Sequence, residues 1–201
     1  TISHGCAAAA FTAIAIHIVP LLTDTGMSLQ MAGTVVATYT ATGAVFQLVG
    51  GFLGDRFPKP PLIAVFIFMQ GLGILIITIN SSVSGAFLFA VVLGIGFGGR
   101  LPLLTAIRGE YFGRKAFATI LGASQLPMNL IVMGAPISAG YLFDVQGTYA
   151  IPFVGLAIIC FLGAVIILLS RKPILPHIPP NNLGACSPPR EGQHLLLAFQ
   201  M

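Results

Sequence analysis

The sequence has 201 residues, 56% of them hydrophobic and only 7% charged, with a mean hydropathy of +0.98. Nine Lys/Arg and five Asp/Glu cannot cover the surface of a soluble fold, which carries about 25% charged residues, so lipid is the solvent for most of the chain. The net charge of +4 does not point to nucleic acid, because the basic residues stand at the ends of apolar segments, as membrane topology requires. Cys6, Cys160 and Cys186 lack metal-ligand spacing and form no disulfide framework; they read as small packing residues, and no cofactor or metal is implied.

The sequence opens at Thr1 and enters an apolar run almost at once, with no Met or basic stretch ahead of it. This reads as the absence of a signal peptide and as a fragment whose upstream part is missing. About 20 apolar residues are needed to cross the hydrocarbon core, and six stretches qualify: residues 2–22, 29–54, 61–79, 83–107, 116–143 and 149–170. The connections at 23–26, 55–60, 80–82, 108–115 and 144–148 carry turn chemistry. From Pro173 to Met201 six prolines interrupt a polar segment, which predicts a disordered cytoplasmic tail after a bundle of residues 1–172.

Charge placement predicts the orientation. The second connection holds Arg56 and Lys59, the fourth holds Arg108, Arg114 and Lys115, and the sixth helix ends in Arg171 and Lys172. The first, third and fifth connections hold no Lys or Arg, only Asp24 and Asp144. Basic connections stay cytoplasmic, so both ends of the bundle are predicted inside, as six crossings demand.

Helices 2 and 5 share a pattern at an offset of 89 residues: Gly33 with Gly122, Gly51 with Gly140, Leu53 with Leu142, and Asp55 with Asp144. Three crossings separate the copies, which describes a 3+3 inverted repeat, a building unit of many secondary transporters. Helices 3 and 6 are almost wholly apolar and are expected to face lipid. Helix 2 carries Thr38, Tyr39, Thr40, Thr42 and Gln47, and helix 5 carries Ser124, Gln125 and Asn129. With His17 on helix 1 and Arg100 on helix 4, these four helices are expected to surround an aqueous cavity.

The segment from Gly51 through Leu53, Asp55, Arg56 and Lys59 resembles the signature loop of the major facilitator superfamily, with Pro58 and Pro60 in place of a glycine and a basic residue. Tyr111 to Lys115 and Gly134 to Gly140 are also similar to the C-terminal half of that superfamily, and together they resemble its oxalate–formate and monocarboxylate groups. The resemblance implies an all-α membrane protein, a six-helix half of a twelve-helix fold, lying multi-pass in a plasma or inner membrane. It further implies a second half upstream, a small organic anion as solute, and alternating access in place of enzymatic chemistry.

Asp55 is expected to pair with Arg56, Arg108 or Arg114 as a cytoplasmic gate built on Gly51, Asp55, Arg56 and Lys59; the plainer possibility is a surface ion pair worth about 0–1 kcal/mol. Arg100 lies eight residues before Arg108, about 12 Å deeper. A charge at that depth is expensive and usually functional, and a guanidinium facing a cavity binds a carboxylate, although a snorkelling or structural Arg is the alternative. Tyr39, Gln125 and Asn129 join it as candidate substrate or coupling residues. His17 is a candidate proton relay, set against a histidine that simply hydrogen-bonds a carbonyl.

Gly94, Gly96 and Gly99 formally match a dinucleotide fingerprint, but within a membrane helix they read as close-packing positions, as do Gly50 and Gly54. Pro102, Pro127 and Pro136 are expected to bend helices 4 and 5. No phosphate-binding or hydrolase motif is present, so ATP-driven pumping and hydrolysis have no support. The rivals are a non-transporting receptor or scaffold on the same bundle, a channel, and a transporter of a drug or sugar.

Overall fold

A computed structural model of the chain describes residues 2–169, apart from the side chains of residues 2, 111–121 and 124. The predicted tail at 173–201, the basic pair Arg171 and Lys172, Cys186, and the side chains of Arg114, Lys115 and Ser124 lie outside the described residues. Five helices account for nearly everything else: α1 (Ile2–Asp24), α2 (Leu29–Arg56), α3 (Lys59–Ile79), α4 (Val83–Gln146) and α5 (Ala150–Leu169). Ser28 and Ser82 cap α2 and α4, each hydroxyl accepting a hydrogen bond from the backbone N–H three residues on. Gly26 and Gly147 close turns in the left-handed region, with φ of 89° and 67°.

The predicted connection at 108–115 is absent as a break: α4 stays helical for 64 residues. Its run of Arg, Glu and Lys consists of good helix formers and holds no proline. The helix nevertheless supplies two crossings. If straight, it would put Arg100 and Met128 about 42 Å apart. Instead, Arg100 hydrogen-bonds His4 while a Cβ on the adjacent Gly5 would lie 3.8 Å from Met128. The chain therefore folds back between a first arm, Val83–Glu110, and a second arm, Gln125–Gln146. With these arms counted separately, six helical segments among the described residues are long and apolar enough to span a membrane.

Directions follow from the contacts. The first arm runs parallel to α2, pairing Gly94 with Tyr39, Gly98 with Gly43 and Leu103 with Gly54. The second arm runs parallel to α1, pairing Met128 with Gly5 and Gly140 with His17. Because α1 and α2 are antiparallel, α2 and the second arm point in opposite senses, as an inverted repeat needs.

Helix association in lipid relies on close packing, since apolar side chains gain nothing by leaving apolar solvent. The first arm achieves this with glycine on two faces. A Cβ on Gly94 would lie 2.6 Å from the Tyr39 carbonyl of α2; one on Gly96 would lie 2.5 Å from both the Phe66 carbonyl and the Gln70 nitrogen of α3. Gly50 of α2 meets the Gly99 backbone. Val65 and Phe68 on α3 and Ile158, Leu162 and Val165 on α5 point outward, a surface suited to lipid and not to water.

Candidate functional site

The two ends of the bundle differ chemically. The first, third and fifth connections meet around a cavity of about 280 Å³ lined in part by Asp24, Thr25, Ser81, Phe143 and Tyr149. Burial, and then the carboxylates of Asp24 and Asp144, push the Tyr149 phenol up from its ordinary value. The opposite end carries Lys59 and Glu110, paired at 2.5 Å. This partition of the connections into two sets is the one the charge pattern requires.

Of the expected gate partners, Arg56 and Arg108 form no ion pair with Asp55 among the described residues, and the side chain of Arg114 lies outside them. Asp55 is exposed in the last turn of α2, and among the described residues Lys59–Glu110 is the one ion pair. Arg56 lies over the Phe52 ring, 4.4 Å from its centroid. Arg108 keeps a buried Nη2 without a hydrogen-bond partner among the described residues. Gly51 faces Pro102 of the first arm, with a Cβ position 4.0 Å away.

Arg100 lies deep in the bundle at 1% exposure. Its Nε donates to Gln70 Oε1 at 3.0 Å and its Nη1 to His4 Nδ1 at 2.8 Å. Gln70 Nε2 in turn donates to the Ala7 carbonyl at 2.7 Å and lies 3.8 Å from Cys160 Sγ. The Phe97 ring sits 5.7 Å from the guanidinium carbon. Gly96, one turn before Arg100 on the same face, admits the α3 backbone and so brings Gln70 within reach.

These partners are neutral. The acidic residues between 2 and 169 are Asp24 and Asp55 at the ends of α1 and α2, Glu110 at the end of the first arm and Asp144 near the end of α4, so no carboxylate of this segment compensates Arg100. Sequence reasoning missed both partners. The apolar sequence of α3 predicts a lipid-facing helix, yet α3 has a second, inward face on which Gln70 is wholly buried. His4 stands so near the start of the sequence that its depth is not readable there. The available signal was a polar residue inside an apolar span.

The other candidates are dispersed. Tyr39 is buried edge-on to Phe11, ring centroids 6.0 Å apart. Gln125 has a buried Oε1 without a partner among the described residues, and Asn129 is exposed. His17 Nε2 meets the Pro136 carbonyl at 3.1 Å, tying α1 to the second arm. Thr34, Thr38 and Thr40 return their hydroxyls to carbonyls four residues back, which satisfies them without water.

The sequence profile of the Major Facilitator Superfamily matches residues 1–197. The chain belongs to the Major Facilitator Superfamily. Human monocarboxylate transporter 11 is 28% identical over 189 residues, covering 90% of this chain and 40% of that protein. Rat monocarboxylate transporter 13 is 27% identical over 142 residues, 69% of this chain and 33% of that protein. The inner membrane transport protein YajR of Escherichia coli is 33% identical over 127 residues, 60% and 28% respectively. The chain thus spans 40% or less of the length of these relatives, and within the superfamily it is a multi-pass membrane protein.

Proposed function

We propose that these six helices form the C-terminal half of a secondary transporter that moves a small organic anion, a carboxylate, by alternating access. The observation that carries this reading is Arg100, a buried cation whose protein partners, His4 and Gln70, are both neutral. A permanent charge withdrawn from water and left without a counter-ion is costly. A transported carboxylate is the counter-ion that such a site selects, and the guanidinium fork matches its two oxygens. Kinship with proteins named monocarboxylate transporters supports the same class of solute.

Transport by this scheme needs a second half against which the six helices rock. The outward faces of α2 (Val45, Leu48) and of the second arm (Leu126, Leu130, Ile137) are the surfaces that would meet it, with Gln125 and Asn129 on the second arm and Tyr39 and His17 nearby as coupling candidates. The Lys59–Glu110 end, with Gly51, Asp55, Arg56, Arg108 and Arg114, is read as the cytoplasmic gate, on the charge rule for connections.

The test is uptake of a panel of labelled carboxylates by the full-length protein in proteoliposomes, with and without a proton gradient. Saturable uptake is expected, and Arg100→Gln should reduce it at least tenfold at equal reconstitution. Uptake unchanged in Arg100→Gln, or no carboxylate transported, overturns the reading.

A further inference from the structure

One hydrogen bond at Arg100 has only one chemical solution. A guanidinium carries donors and no acceptor, so Nη1 must donate and His4 Nδ1 must accept across their 2.8 Å contact. His4 is therefore neutral, with its proton on Nε2. The bond extends into a chain that laces three helices, from His4 on α1 to Arg100 on α4, Gln70 on α3 and back to Ala7 on α1. The charge of Arg108 on the first arm also bears on the imidazole, and the Cys160 thiol of α5 lies beside Gln70. No acidic residue of 2–169 lies at this depth.

We propose that His4 is a proton-operated lock on Arg100. Neutral, it occupies Nη1 and withholds that edge of the guanidinium from an anion. A proton taken from the aqueous side onto Nδ1 removes the acceptor and sets two donors, both positive, face to face. The bond breaks and Arg100 turns to a carboxylate; when the carboxylate leaves, Nδ1 returns its proton to water and the bond re-forms. A proton alone adds a third positive charge beside Arg100 and Arg108, and a carboxylate cancels that repulsion. Proton and anion therefore bind better together than singly, and by linkage each raises the affinity for the other equally.

This lock rests on the reading of Arg100 as the anion anchor, and the experiment separates the two. Exchange of L-lactate, ionised throughout, is measured on the full-length protein in proteoliposomes with equal pH on both sides, at pH 5.5 and 7.5. Wild type should show a KM at least fivefold lower at pH 5.5. His4→Ala, with no acceptor, should give a low KM at both values. His4→Gln, whose carbonyl accepts but does not titrate here, should give a high KM at both. A wild-type slope surviving in either variant overturns the lock. If lactate exchange in Arg100→Gln equals wild type, the anchor itself is wrong. If Arg100→Gln loses exchange while the His4 variants keep the slope, only the lock is wrong. Should the variants misfold, solid-state ¹⁵N spectra of the wild type decide: the imidazole nitrogen coupled to an Arg guanidinium must be unprotonated without lactate at pH 7.5 and protonated with lactate at pH 5.5. A protonated Nδ1 in the lactate-free protein at pH 7.5 overturns the lock.

Discussion

The two arms of α4 belong to one helix and do opposite things. In the first arm 61% of the most apolar stretch is buried; in the second arm 6% is. The first arm is the hub, pressed against α2 through Gly94 and Gly98 and against α3 through Gly96 and Gly99, and it carries Arg100. The second arm touches the bundle along α1, through Met128 near Gly5 and the His17–Pro136 hydrogen bond, and leaves Leu126, Leu130, Met133 and Ile137 outward. The difference separates two jobs within one helix: one arm fixes a deep cation in a rigid frame, and the other offers a surface free to engage something else.

Breaking the hub should cost the most. In Gly96→Ala the new Cβ would fall 2.5 Å from backbone atoms of Phe66 and Gln70, which have no rotamer to yield. Overpacking of this kind costs about 3 kcal/mol, and it pushes Gln70 off Arg100. The variant should melt well below wild type in detergent and elute partly aggregated. Gly54→Ala is the control, because its Cβ meets only the tip of Leu103, so less than about 1 kcal/mol is expected. Equal melting temperatures for the two variants would show that the hub is not rigid.

The polar chain inside the hub gives the next effect. Gln70→Leu leaves the Arg100 Nε buried without its acceptor, a loss of about 1–3 kcal/mol. Gln70→Glu offers a carboxylate in the same place. The carboxylate compensates a lone buried cation but faces the Ala7 carbonyl with an oxygen where Nε2 had donated, so the two effects oppose and stability should stay within about 1–3 kcal/mol of wild type, while anion transport should fall to the level of Arg100→Gln because the anchor is already occupied. Retained transport in Gln70→Glu would mean that the solute does not use this guanidinium.

The six spans were legible because span length and hydropathy are local properties, and the division of the connections between two ends because charge at the ends of apolar segments is local too. The continuity of α4 was not. Arg108, Glu110, Arg114 and Lys115 mark where the chain leaves lipid, which is not where it leaves the helix. Backbone hydrogen bonding is indifferent to that boundary, and these residues are good helix formers. The depth of Arg100 could be counted from Arg108, but its partners could not: His4 is 96 residues away and Gln70 is 30, and they meet through a rotation of α4 that Gly96 and Gly99 set by what they lack. His17 shows the limit from the other side, since both a relay and a carbonyl-bonded histidine fit the sequence and the structure adds the carbonyl, Pro136, and its distance.

The second arm should yield the smallest effects, and their pattern matters more than their size. His17→Ala removes the bond to the Pro136 carbonyl, which in a membrane interior is worth about 0.6 kcal/mol. Global melting should barely move, while amide exchange rises along the second arm and stays unchanged in the first. Gly134→Ala should be smaller still. A Cβ there has nothing within 4 Å among these six helices, so the isolated bundle should change by no more than about 0.5 kcal/mol. If the outward face of the second arm packs closely on another half in the full-length protein, the same methyl group becomes costly only there. Melting Gly134→Ala in both forms therefore measures what covers the arm: a penalty confined to the full-length protein puts a partner helix against Gly134, and none in either form leaves that position facing lipid or water.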